Sequence, residues 1–195
     1  DVHELGRIHI AGAHVDMPTR FSAAAGLPRV ALPGALNFLG CGALITLNEE
    51  HLSRPHYQHT NQFTHVKLTA SEMSDQATHW AASLNQSTAP CRVILPMGGF
   101  SHEDREGGAI EDAELREITA DVLERDVYLK LAGQMRRATG EGDEDVDSPA
   151  ATGSLTPERF AQLGAEEEFI LTLTESGLGK RTSAHEYRIT NRGGQ

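Results

Sequence analysis

Apolar positions along this chain follow a helical period in some stretches and a strand-like period in others. Met73, Ala77, Trp80, Ala81 and Leu84 recur three or four residues apart within the segment opened by Ser71, which predicts an amphipathic helix packed on a sheet. Leu115, Ile118, Val122 and Leu123 give a second such stripe over Glu111–Glu124. Asp16-Met17-Pro18 opens a further expected helix that Gly26 closes, because proline suits the first helical turn and glycine the stop. Between these, Leu27–Leu32, Thr64–Thr69 and Cys91–Leu95 read as strands. The last is a continuous apolar run of the kind expected of a buried parallel strand. Alternation of strand and helix predicts βαβ units, a partial parallel sheet with flanking helices, and so an α/β fold over residues 1–124.

The pattern changes after residue 124. Val127–Ala138 predicts a separate short helix ending in Arg136-Arg137. Residues 140–154 are rich in Gly, Asp, Glu, Ser and Ala with almost nothing apolar, a composition that cannot bury a core and predicts a disordered acidic linker. Thr156-Pro157-Glu158 caps another short helix, so residues 125–165 form a helical and acidic connection. Phe169–Thr174 and Glu186–Thr190, with a Gly177–Gly179 turn between them, predict a β-hairpin within residues 166–195.

Charge refines this division. Of the formal net charge of −11, residues 1–124 hold 8 Lys and Arg against 16 Asp and Glu, whereas residues 177–195 hold Lys180, Arg181, Arg188 and Arg192 against Glu186 alone. An acidic body repels nucleic acid, and a short basic stretch can touch phosphates. No apolar run approaches a membrane span, no signal peptide is visible, and the two cysteines sit far apart in apolar surroundings, so a cytoplasmic protein with reduced thiols is expected. The opening residue, Asp1, predicts an excerpt of something longer.

Two loops should lie beyond the carboxyl ends of strands, where open α/β sheets bind ligands. One spans Pro33–Asn37 and offers Gly34 and Asn37; the other spans Pro96–Gly108 and offers Gly98, Gly99, Ser101, Asp104, Gly107 and Gly108. Glycines let a backbone approach a ligand closely, and their N–H groups can hold an anion. A plain surface loop, and a nucleophilic role for Ser101 beside His102 and Asp104, remain alternatives, because a nucleophile and its base must meet at about 3 Å. Nine of the ten histidines precede residue 103, but neither HExxH nor CxxC spacing is present, and no metal site is expected. Two partial motifs fail. Gly179-Lys180 is followed by Arg181 where a phosphate-binding loop needs Ser or Thr, and the Asp143, Asp145, Asp147 run has Ser148 where a calcium loop needs Gly.

Several segments resemble known families. His3-Glu4-Leu5-Gly6, PTRFSAAAGLPRVALPGALNF (Pro18–Phe38), YQHTNQFTHVKLT (Tyr57–Thr69) and PMGGFSHEDREGGAIEDAE (Pro96–Glu114) make residues 1–124 resemble the C-terminal α/β domain of the tomato mosaic virus resistance protein family, with Asn37 where that family usually has Asp. The resemblance implies a ligand-binding, nucleotide-related α/β domain of which this is part. FILTLTE (Phe169–Glu175), Gly179-Lys180-Arg181-Thr182, Glu186-Tyr187-Arg188 and Arg192-Gly193-Gly194-Gln195 make residues 125–195 resemble a piece of the DNA gyrase A subunit's C-terminal domain, a β-pinwheel that wraps DNA. That resemblance implies weak, non-specific phosphate contact through Lys180, Arg181, Arg188 and Arg192. Together they predict a fusion-like chain with no complete activity of its own, no cofactor, and self-association through truncated sheet edges. The alternative is a functional small-molecule-binding α/β enzyme domain that uses the loops after its strands.

Overall fold

The computed structural model describes residues 8–10, 13–15, 25–139, 154–173 and 179–186. In chain order the strands and helices are β1 (Ile8–Ile10), β2 (Ala13–Val15), β3 (Arg29–Ala31), β4 (Phe38–Cys41), α1 (Glu49–Ser53), β5 (His56–Thr60), β6 (Phe63–Lys67), α2 (Ala70–Leu84), β7 (Cys91–Val93), α3 (Ala113–Ala138), α4 (Pro157–Ala165), β8 (Phe169–Leu173) and β9 (Gly179–Ser183). They divide into two compact units, Asp1–Leu123 and Glu124–Gln195, with α3 contributing its first half to one and its second half to the other. The fold is α/β, with one small parallel pair and several antiparallel sheets.

In the first unit, β3 and β7 pair in parallel, and β4, β6 and β5 form an antiparallel sheet in the order β4-β6-β5. Period-two alternation sorts β6 cleanly: Thr64 and Val66 are buried, while Phe63, His65 and Lys67 are only partly so. Helix α2 starts one residue earlier than its apolar stripe suggests, because Thr69 supplies a capping box. Its hydroxyl accepts from the Glu72 amide at 3.3 Å, and Glu72 Oε2 accepts from the Thr69 amide at 2.8 Å. The stripe predicted from sequence is buried as expected, at Met73, Ala77, Trp80, Ala81 and Leu84. Met73, Trp80 and Leu84 join Leu36, Leu39, Val66, Leu68 and Phe100 in one core.

Three expectations change here. The strand near Thr64 belongs to an antiparallel sheet rather than to a parallel one, since β5 and β6 turn back on each other at Asn61-Gln62. The Cys91–Leu95 run is not buried throughout: Cys91 faces the core, but Val93 is 39% and Ile94 53% exposed. Beside them Val30 and Leu32 are also exposed; by alternation Val30 lies on the face opposite Ala31 and Val93, and that face of the parallel pair is uncovered among the described residues. Finally, Glu111–Glu124 and Val127–Ala138 are not two helices. No glycine or proline separates them, and α3 runs unbroken from Ala113 to Ala138. The helix expected from Asp16 lies outside the described residues except at its last position, as does the acidic linker except for Ser154.

In the second unit Tyr128 and Ala132 of α3 and Leu163 of α4 form a small core, with Leu129, Leu155 and Phe160 packed against it. Thr156 caps α4 by accepting from the Arg159 amide at 3.2 Å. The hairpin is antiparallel as expected, but its second strand is Gly179–Ser183 rather than Glu186–Thr190. Residues 184–186 form a 3-10 turn, and 187–190 fall outside the described residues. The turn is held by His185. Arg125 can only donate to its Nδ1 at 2.7 Å, so Nε2 carries the proton and donates to the Leu163 carbonyl at 3.0 Å.

Candidate functional site

Parallel pairing sets Arg29 beside Cys91, Val30 beside Arg92 and Ala31 beside Val93, so β3 and β7 end side by side. The loops that leave them therefore start together. The Ile94 amide donates to the Ala31 carbonyl at 3.0 Å, and further out the Ala35 amide donates to the Phe100 carbonyl at 2.9 Å. These bonds bring the Gly34–Asn37 turn and the Gly98–Gly108 loop into one place, as the sequence-derived site requires.

The candidate residues there play different parts. Asp104 is fully buried and serves the loop's own fold. Its Oδ2 accepts from the Phe100 amide at 2.8 Å, and its Oδ1 accepts from the Asp112 amide at 3.0 Å and from Arg116 Nη1 at 2.8 Å. Arg116 also donates to the Asp104 carbonyl at 2.7 Å. A carboxylate engaged on this scale is a structural clamp, and a buried pair of this kind is strongly destabilised when one partner is removed. His102 is exposed and pairs with Glu103 at 2.7 Å. Ser101 and Asn37 differ from these. The Ser101 hydroxyl, and both the oxygen and the nitrogen of the fully buried Asn37 carboxamide, have no hydrogen-bond partner among the described residues. Buried polar groups without partners are uncommon and call for an occupant, either water or ligand.

The glycines also sort into two groups. Gly99, at φ +143°, is in a backbone region that side chains rarely adopt, and a Cβ on Gly108 would come 2.3 Å from the Glu103 carbonyl oxygen. Gly107, at φ +78°, is likewise required by its backbone. The fold makes no such demand at Gly34 and Gly98, where a Cβ would meet nothing within 4 Å among the described residues. Next to Gly34, Ala35 holds φ 59°, the one left-handed non-glycine among the described residues. Strain of this sort persists where surrounding structure enforces it, and it clusters at binding sites. Sequence reasoning did not single out Ala35 or Arg116. The Pro33-Gly34 turn offered a signal for the first, but nothing local marks the second, whose partner lies twelve positions away.

The thiols take no part in this arrangement. Cys41 and Cys91 are free and buried, and burial pushes the Cys41 thiol up despite the lowering influence of Arg54. Among the described residues no group of three or more His, Cys, Asp or Glu side chains could hold a metal ion, and no helix is long and apolar enough to cross a membrane.

In the second unit Lys180 and Arg181 lie exposed on β9. The Arg181 guanidinium stacks 3.7 Å from the centroid of the Phe169 ring, which fixes its direction. Arg188 and Arg192 lie outside the described residues.

The model of the Uncharacterised protein family (UPF0261) C-terminal domain matches residues 2–150. A UPF0261 protein of Brucella suis is 29% identical over 90 residues, covering 46% of this chain and 22% of that protein. The DNA gyrase A subunit of Granulibacter bethesdensis is 38% identical over 91 residues, covering 42% of this chain, and that of Rickettsia bellii is 45% identical over 80 residues, covering 41%. The chain spans about a tenth of the length of these gyrase proteins. The similarity to gyrase is thus partial, whereas the family model takes in well over half the chain, and the protein belongs to the UPF0261 C-terminal domain family.

Proposed function

We propose that the chain binds a small polar molecule between the loops that follow β3 and β7 and completes no catalytic cycle of its own. The observation that carries this reading is the pair Gly34 and Gly98, glycines that the fold itself does not need, on two loops tied together at the ends of parallel strands. Space kept free of side chains at such a place suits the close approach of a ligand. The unpartnered Ser101 hydroxyl and Asn37 carboxamide offer donors and acceptors for it. Asp104 is committed to Arg116 and to backbone amides, which argues against a Ser101-His102-Asp104 nucleophile. Kinship with the tomato mosaic virus resistance protein family, and a nucleotide-related ligand, belong to this proposal.

The test is a thermal-shift screen of nucleotides and small acids on the full chain, repeated with Gly34→Val and Gly98→Val. The valine variants should keep the wild-type melting temperature without ligand and lose the response to any stabilising compound. A response that survives both substitutions would sink the loop site.

A second reading concerns residues 124–195. Exposed Lys180 and Arg181, together with the relatives named as gyrase A subunits, support weak, salt-dependent contact with DNA phosphates through the hairpin. With only a few cations available, binding in a gel shift should disappear as salt is raised to physiological strength, and Lys180→Ala with Arg181→Ala should weaken it further.

A further inference from the structure

The outer face of the β4-β6-β5 sheet carries a row of stacked rings. Phe38 and His65 lie 3.9 Å apart between centroids at 12°, and His65 and His59 lie 5.0 Å apart at 13°. Three planes are therefore nearly parallel, running across all three strands. Phe63 meets His65 edge-on at 5.7 Å, and Tyr57 leans against His59 and His65 at 6.2 and 6.3 Å.

The sequence builds this row by alternation. Phe63 and His65 share one face of β6, while Thr64 and Val66 occupy the core face. Gly40, the cross-strand partner of His65, makes room: a Cβ there would come 3.0 Å from the Phe63 ring. The row is closed at one end, where Ile110 and Ala35 pack against Phe38. Among the described residues it stops at the other end at His59, which is exposed, with Tyr57 half-buried beside it. A ladder anchored at one end and open at the other can take one more planar ring.

We infer that this open end is a stacking site for an uncharged heteroaromatic ring, of the class of a nucleobase or nucleoside without phosphate. Three features select that chemistry. Ring faces stack on any base regardless of its identity. Burial, with the charge of His59 adding to it and Glu103 opposing, holds His65 down at about 4, so the middle of the ladder is neutral. The negative charge of Glu103 reaches His65 in this row, which disfavours a phosphorylated ligand at the ladder. The open end at His59 lies on β5, not on the loops that carry Gly34 and Gly98, and Phe38 belongs to the cluster with Ile110, not to the main core.

Saturation-transfer NMR on the full chain with adenosine at millimolar concentration tests this. Transfer to the adenine protons is expected, with weaker transfer to ATP at equal concentration. His59→Ala, at an exposed position, should leave the melting temperature unchanged and weaken adenosine binding about 5-fold or more. Absence of transfer from adenosine, stronger transfer to ATP, or unchanged binding by His59→Ala would overturn the inference.

Discussion

The two units of this chain are each stabilised by a different chemistry. Residues 1–123 rest on an apolar interior in which Leu36, Val66, Met73 and Trp80 are essentially shielded from water. Among the described residues of 124–195 the apolar core consists of three buried side chains, and polar bonds support it. Tyr128 donates to Glu167 at 2.7 Å, Arg136 approaches the same carboxylate at 3.3 Å, and Arg159 reaches Glu124 at 2.7 Å. The difference teaches where each unit is vulnerable. Apolar burial responds to lost volume and little to moderate salt, whereas exposed or half-exposed ion pairs are weak singly and are screened by salt.

The largest effect should therefore come from the first unit's interior. Trp80 is 1% exposed at the centre of the α2 stripe. Trp80→Ala should cost about 3–5 kcal/mol, from lost transfer energy and the cavity left behind. Urea denaturation followed by far-UV circular dichroism measures this as a fall in the midpoint. A loss below about 1 kcal/mol would mean that the interior collapses freely around the gap, and the contrast between the units would fail.

How far such features can be read from sequence differs between the units for the same reason. The α2 stripe was legible because five apolar residues repeat at helical spacing and each is buried. The hairpin's first strand was legible from its apolar run, but its partner was not. Gly179–Ser183 is mostly polar and pairs with β8 through its backbone, which no side-chain pattern reports. The parallel pair misled in the opposite direction, since a continuous apolar run suggested burial where Val93 and Ile94 lie half in water. Within the loop site, glycine content was visible, but which glycines the backbone demands depends on contacts such as Gly108 against Glu103, which only the fold creates.

Acidification should affect the units over different ranges. In the first unit His65 falls from an ordinary 6.5 to about 4 because burial disfavours its charged form. The unfolded chain then binds a proton that the folded chain refuses. The stabilisation is complete above the ordinary value and is lost as pH falls from 6.5 toward 4. For a half-exposed ring this amounts to about 1–2 kcal/mol. In the second unit burial works to raise the Glu167 carboxyl, but hydrogen bonds from Tyr128, Ser183 and Arg136, with the charge of Arg136, hold it below its ordinary 4.5. Its contribution is present above 4.5 and fades only below that. Urea midpoints recorded between pH 7 and pH 4 should thus fall for the wild type, and His65→Phe should flatten that slope. An unchanged slope would place the acid sensitivity elsewhere.

The smallest effect sharpens the contrast from the other side. Burial and the hydrogen bond to Glu167 push the Tyr128 hydroxyl up to about 12, so it stays a donor at every pH at which the protein is handled. Tyr128→Phe keeps the ring that packs against Phe160, 4.9 Å away between centroids, and removes only the hydroxyl. Glu167 would still hold Arg136 and Ser183 as donors, so it would not be left unsatisfied. The cost should stay at about 1 kcal/mol, the net worth of one hydrogen bond. Because the remaining bonds to Glu167 include an ion pair with a partly exposed arginine, the variant should also lose more stability on adding salt than the wild type does. Hydrogen exchange of amides in α4 and β8 reads the second unit directly. A loss well above 1 kcal/mol with no added salt dependence would show that the ring of polar bonds acts as one network, built around the tyrosine rather than the ion pair.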